Sequence, residues 1–209
     1  MNTRSENAPR GRGRPRTDDK RRRILDAALG EFAARGYHGV RVPEVAVAAD
    51  VGAGTLYRYF TDKEALVNEV FRDAKSRLRD AIFEGWAHEP TTDPYTVYTD
   101  LWTRIVRFAR KEPLTFQFLE MQDHLPYLDA ESRMVEHLVL APMVLIGHQI
   151  SASGVARDMP VDVLIALVWG ALVGLFKAER LGYIRLDDAV LAKAGDACWA
   201  AIRKDPPAS

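Results

Sequence analysis

Apolar residues recur at helical spacing along most of the chain. Leu25, Ala28, Leu29, Phe32 and Ala33 mark one face of a helix predicted to start at Thr17 or Asp18, run to about Arg35 and stop at Gly36. Val45, Ala46 and Ala49 form the inner stripe of a short second helix, with Pro43 in its first turn, where a missing N–H costs little. After a break at Asp50-Val51-Gly52, Leu56 and Phe60 sit four apart and pin a third short helix. Thr61 and Asp62 can cap a longer helix over 63–86, striped by Leu66, Val70, Phe71, Ala74 and Leu78. A linker at 88–94 follows. Beyond it the spacing predicts helices over 97–110, 114–124, 131–151, 161–181 and 189–203, separated by proline or glycine breaks. No segment alternates as a strand would and no tandem repeat is present. The predicted fold class is all-α.

The third short helix carries more than packing requires. Leu56 and Phe60 take its inner face and leave Thr55, Tyr57, Arg58 and Tyr59 pointing elsewhere. Those donors and aromatic bodies suit the DNA major groove, where the second helix of a helix-turn-helix reads base edges and phosphates. Gly36-Tyr37, Val45-Ala46, Ala49, Val51, the run from Gly54 through Phe60, and Lys63-Glu64-Ala65-Leu66 together resemble the DNA-binding domain of the TetR family of transcriptional regulators, over roughly residues 20–70. Three positions depart from that pattern. Arg41 stands where a hydroxyl residue usually caps the second helix, Asp50 replaces the turn glycine, and Gly52 replaces a small hydroxyl cap. Arginine is no cap, and its presence forgoes about 1 kcal/mol.

The resemblance implies an N-terminal three-helix DNA-binding domain followed by a larger helical domain for effector binding and dimerisation. The expected division is an Arg-rich disordered arm at 1–17, the helix-turn-helix at 18–62 and the effector and dimer domain at 63–205. The implied function is a ligand-responsive homodimeric repressor of a palindromic double-stranded operator, released by a small apolar or amphipathic effector. Lys63 matches a phosphate-contacting position, and Arg41 remains able to meet a phosphate.

Charge adds an asymmetry that the net value of zero conceals. Residues 1–60 hold 12 Lys and Arg against 7 Asp and Glu, and the remainder holds 17 against 22. A basic front and an acidic back place any polyanion at the front. Within the arm, Arg10-Gly11-Arg12-Gly13-Arg14-Pro15-Arg16 resembles an AT-hook, whose arginines (Arg12 and Arg14 among them) enter a narrow minor groove. A solvated basic tail fits the same residues. Lys20, Arg21, Arg22 and Arg23 crowd the first turn of a helix whose dipole disfavours them, which makes sense if a phosphate lies there; Arg22 is the named candidate. An architectural A·T-preferring binder without an effector is the alternative reading.

The single Cys198 leaves no internal disulfide and agrees with a reducing cytoplasm. The Arg-rich start has no apolar signal core, and the longest apolar run, residues 163–176, is expected to be a buried helix rather than a membrane span. No membrane partner and no cofactor are expected. No nucleophile elbow, P-loop, dinucleotide glycine pattern or zinc-protease motif occurs, so an enzyme is the least favoured class. Glu120, Asp123 and His124 share one face of the predicted 114–124 helix but read as an acidic helix end rather than a metal set.

Two sets remain. Trp102, Phe116, Phe118, Met121, His124, Met134, Met143 and Trp169 could line an apolar pocket, or simply fill a core; Trp102, Phe116, Met121, His124, Met143 and Trp169 are the candidate effector contacts. Ala166, Gly170, Gly174 and Ala178 form a stripe of small residues every four positions. Either a neighbouring helix of the same chain or a twofold partner would supply the close approach they permit; with Ala194, Ala197 and Ala201 on the last helix they make the candidate dimer face.

Overall fold

Nine α-helices account for the architecture among the described residues, which in this computed structural model are 15–89 and 91–204. Arg12, Arg14 and the AT-hook-like run as far as Arg14 lie outside them, while residues 15–17 of the expected arm belong to the first helix. The helices are α1 (Pro15–Gly39), α2 (Val42–Ala48), α3 (Ala53–Tyr59), α4 (Lys63–Phe83), α5 (Pro94–Lys111), α6 (Pro113–Glu120), α7 (Ala130–Ala152), α8 (Val161–Arg180) and α9 (Asp188–Ile202). The all-α expectation holds; the only bridge among the described residues is an isolated one between Ala156 and Arg203.

Aspartates set four of the starts. Asp62, Asp93, Asp129 and Asp187 each accept a hydrogen bond from a backbone N–H three residues on, at 2.7–2.9 Å. Each such cap is worth about 1 kcal/mol. Helix α2 starts without one. Arg41 occupies its cap position and has no acceptor to offer, but the Glu44 carboxylate reaches back to the Arg41 N–H at 3.2 Å, supplying half of a capping box. At the α2–α3 turn Asp50 takes φ 52°, the left-handed conformation that Asp tolerates better than most residues. That conformation explains how Asp50 can replace a turn glycine.

Several helix ends differ from the sequence expectation, among them those of α4, which ends at Phe83 rather than near Trp86, and of α5, which begins at Pro94 rather than Val97. Helix α1 begins at Pro15, a residue suited to a first turn. Its regular part still ends at Gly36, where φ is 68° and the chain swings Tyr37 toward the second half of the molecule. Helix α6 stops at Glu120 instead of running to His124. Pro126 disfavours helix before it, and residues 121–129 form a loop with one 3-10 turn, Leu125–Tyr127. Glu120 and His124 therefore do not share a helix face, and the premise of a common metal site there fails.

The two short helices α2 and α3 close on α1 through Phe32, Val45, Leu56 and Phe60, all buried. Helix α4 then joins this head to the body, packing against α1 on one side and against α5 and α7 on another. The seam between head and body is polar in its details. Asn68 of α4 is 1% exposed, donates to the carbonyls of Tyr127 (2.8 Å) and Glu64 (2.9 Å), and accepts from the Asp129 N–H (2.9 Å). Gln117 and Gln122 donate to the α1 carbonyls of Ala33 and Phe32, each at 2.6 Å. Tyr37 stacks on Tyr127 with ring centroids 4.2 Å apart, and the Lys63 ammonium sits 4.3 Å from the Tyr37 ring centre.

The apolar run in α8 is not buried as expected. Only Leu164, Leu172 and Phe176 of that helix are buried, and its opposite face is open. The run belongs to a helix of 20 residues, so length alone does not exclude a membrane span, for α8 or for α7. Both pack in the bundle instead, α7 on α4 and α8, and α8 on α7 and α9.

Two residues in this packing carry measurable consequences. Gly195 of α9 faces the Trp102 indole, whose Nε1 donates to the Leu191 carbonyl at 3.0 Å. A Cβ at Gly195 would lie 2.8 Å from that Nε1. Gly195→Ala is expected to destabilise by about 1–3 kcal/mol by overpacking a buried ring, measured as a lower urea midpoint; unchanged stability would show that the indole can move.

His124 is buried in the seam. Its Nε2 contacts the Phe118 carbonyl at 2.6 Å, which can only accept, so Nε2 carries the proton and Nδ1 accepts from the Tyr127 hydroxyl at 2.6 Å. Burial holds the ring below its ordinary pKa, with Lys75 acting in the same direction and the Phe118 carbonyl, Glu136 and Asp123 opposing. The unfolded chain therefore takes up this proton more readily than the native one. This contribution to stability is present above about pH 6.5 and is lost on acidification, by up to about 1.4 kcal/mol per pH unit for one proton. His124→Gln should be less stable at pH 8 yet lack this slope between pH 7 and 5.5 in denaturant titrations; an unchanged slope would assign it elsewhere.

Candidate functional site

The outer face of α3 is available to a partner. Leu56 is fully buried and Phe60 nearly so, which fixes the helix and leaves Tyr57 and Arg58 exposed, with Thr55 and Tyr59 half-buried beside them. Arg58 has no ion-pair partner among the described residues. Other candidate cations are engaged within the chain. Arg22 pairs with Asp26 (2.7 Å) and with Asp73 of α4 (2.8 Å), so its guanidinium ties α1 to α4. Arg41 lies 2.8 Å from Glu44, although its side chain is largely exposed. The Arg41 backbone N–H, then its guanidinium, then Arg35, hold the Glu44 carboxyl below its usual range against a smaller opposing cost of burial. Lys63 is half-buried over Tyr37, and burial pulls its ammonium pKa down.

A cavity of about 80 Å³ lies in the body between α5, α7, α8 and α9. Three of the six candidate effector contacts, Trp102, Met143 and Trp169, line it. The other three do not. Phe116 packs on the Phe176 ring at 5.2 Å, Met121 lies partly buried in the loop after α6, and His124 belongs to the seam. Of the two further members of the wider set, Phe118 is wholly buried beside His124 and Met134 stands exposed on α7. The Trp169 indole donates to the Glu120 carboxylate at 2.7 Å. Burial pushes the Glu120 carboxyl above its usual range, against the opposing effect of Lys75 and the indole. Lys75 is itself buried on α4 and lies 3.5 Å from Glu136 of α7.

The small-residue stripe is open. Ala166, Gly170 and Gly174 are exposed and Ala178 is half-buried, while Ala197 and Ala201 of α9 are exposed and Ala194 is half-buried. A Cβ at Gly170 or Gly174 would meet nothing within 4 Å. An interior helical glycine costs about 1 kcal/mol, and no neighbour among the described residues accounts for either one.

Sequence reasoning passed over Tyr127, Gln117, Gln122 and the Trp169–Glu120 bond, because their partners lie 49 to 90 residues away. One signal was present: Asn68 interrupts the apolar positions of α4, and a polar residue there needs a buried partner.

Comparison with known proteins agrees with this geometry. Residues 24–70 match the model for bacterial regulatory proteins of the tetR family, and residues 71–204 match that of the tetracyclin repressor-like C-terminal domain. A solved putative TetR-family regulator from Vibrio parahaemolyticus is 30% identical, with a TM-score of 0.70 over 89% of this chain and 99% of that one. A TetR-family regulator from Marinobacter aquaeolei VT8 shares the fold with a TM-score of 0.79 at 23% identity, covering 91% of this chain and 98% of its own. The transcriptional repressor KstR of Rhodococcus jostii is 34% identical over 96 residues, 46% of this chain and 43% of that protein. The chain spans less than half the length of several curated relatives that it matches. Its two halves together meet both parts of one family pattern, and the chain belongs to the tetR family of bacterial regulatory proteins.

Proposed function

We propose that this chain is a homodimeric transcriptional repressor that binds a palindromic operator through α3 and is released by a small apolar or amphipathic effector held in the α5–α9 cavity. It would act on DNA in the cytoplasm, as a regulator and not as an enzyme. The observation that carries the reading is the α3 face, where an unpaired arginine and an exposed tyrosine stand on a helix pinned by buried Leu56 and Phe60. Such a face fits a major groove, with Thr55, Tyr57, Arg58 and Tyr59 as its reading and positioning groups and Lys63 beside them at the start of α4. Arg22 and Arg41 are left with supporting roles by their carboxylate partners.

Support for an effector comes from the route between cavity and head. Trp169 lines the cavity and is bonded to Glu120, the last residue of α6. Gln117 of the same helix is bonded to α1. A guest that displaces the indole acts on an element fastened to the head, and its leverage equals its differential affinity for the two arrangements. Support for a dimer comes from Gly170 and Gly174, which cost helix stability and gain nothing within the subunit. A twofold operator also needs a self-complementary contact away from the reading heads.

Arg58→Ala is expected to keep the fold while weakening binding to the chain's own operator by about 1–3 kcal/mol, measured by fluorescence anisotropy on operator and random duplexes. Equal weakening on both would make Arg58 a phosphate contact, and no weakening would remove it from the interface.

Gly170→Leu or Gly174→Leu should shift sedimentation from dimer toward monomer and reduce operator affinity in parallel, with helical content retained. Variants that remain dimeric at wild-type concentrations would place the twofold contact on another face.

A further inference from the structure

The effector reading leaves the chemistry of the guest open, and the cavity wall narrows it. Most of the wall is aliphatic, supplied by residues such as Leu101, Ile146, Leu164 and Leu172. Its polar side-chain atoms belong to three aromatic residues, and each is already satisfied within the protein. The Tyr98 hydroxyl donates to the Gly195 carbonyl at 2.9 Å, Trp102 donates to Leu191, and Trp169 donates to Glu120. No Lys, Arg, His, Asp or Glu lines the space. Arg157, next in sequence to the wall residue Ala156, holds its Nε against the Ala201 carbonyl at 2.9 Å.

An apolar space of this kind favours apolar guests. An ionised group brought into it would lose its hydration with no counter-charge or free donor to replace the water. A second cleft shares Ile150 with the cavity and is lined by the neutral side chains of Thr91, Thr92, Gln149 and Ser153, of which Gln149 donates to the Glu89 carbonyl and Ser153 to the Ile150 carbonyl. The charged residues flanking it in sequence, Glu89 and Asp93, are acidic and disfavour a carboxylate further.

We propose that the guest is an uncharged apolar molecule, bearing at most a neutral polar end such as a hydroxyl, and that anionic and cationic amphiphiles of the same chain length are excluded. This rests on the reading of the cavity as the effector site. It differs from the general expectation of an amphipathic effector by ruling out an ionised headgroup.

The test compares 1-butanol, butanoate and butylammonium at pH 7.4, guests short enough for a cavity of about 80 Å³, by ligand-observed NMR titration on the full chain without DNA. Butanol is expected to bind on the order of a hundredfold or more tightly than either ion. Val168→Trp, which fills the cavity from a half-buried position, should abolish butanol binding, and Ile165→Phe serves if the larger variant does not fold. Butanoate or butylammonium binding as tightly as butanol overturns the proposed class while leaving an effector site in place. Butanol binding that survives both filled variants, or no binding by any of the three, overturns the assignment of the cavity as well. Operator release is scored in a separate anisotropy titration, where butanol that binds the protein but leaves the operator bound would overturn the effector reading and leave the guest's chemistry standing.

Discussion

The burial of α4 on two fronts is the constraint on which the rest of this molecule depends. One side of α4 closes against α1, so the three-helix head is complete only with its help, and another side packs on α5 and α7. Leu66, Val67, Phe71 and Ile82 are fully buried along its length. Apolar burial of that extent is worth about 1.5–3 kcal/mol per large side chain, against a net of about 0.5–1.5 kcal/mol for each hydrogen bond of the seam. The head therefore cannot shift without moving a helix that the body also holds.

Polar contacts give that apolar joint its direction. Asn68, Gln117 and Gln122 bind backbone carbonyls across the seam, where a lost partner leaves a buried group unsatisfied at a cost of about 1–3 kcal/mol. The Tyr37–Tyr127 stack and the Lys63 ammonium over Tyr37 fix the rotation of the head about the joint. Ion pairs from Arg21 to Glu69 and from Arg22 to Asp73 add a more exposed, weaker tie. At the far end of α6, the Trp169–Glu120 bond connects this seam to the wall of an apolar cavity. Helix α1 of the head and an internal space are thus joined by a short run of helix and the side chains of Gln117, Gln122, Glu120 and Trp169.

Much of this was legible in the sequence, and the reasons separate cleanly. Helices with a strong apolar face, such as that of Leu25, Phe32 and Ala33, were placed within a few residues, because period 3.6 reports burial directly. The division of α3 into a buried pair and an outward set was equally visible from Leu56 and Phe60. Helix ends decided by tertiary contacts were not. Helix α6 stops at Glu120, several residues before the Leu125-Pro126 break that marks its end in the sequence, and the Trp169 partner of Glu120 lies 49 residues away. The cavity set split for the same reason. Phe116 and Trp102 are both large aromatics on apolar helix faces, yet Phe116 meets Phe176 of α8 and Trp102 lines the cavity, a difference set by long-range packing. The small-residue stripe on α8 was visible as a pattern, whereas its exposure became apparent only once α7 and α9 were seen to cover the opposite face.

The central claim is that this fold presents two identical reading helices to one specific DNA sequence. Selection of bound duplexes from a random pool by the purified full chain tests it most directly, at a salt concentration high enough to suppress non-specific phosphate contacts. The account predicts enrichment of a single motif with twofold symmetry, its half-sites centred one helical turn of DNA apart. Enrichment that follows A·T content alone, with no symmetric motif, would contradict it and would assign DNA binding to a non-specific architectural role.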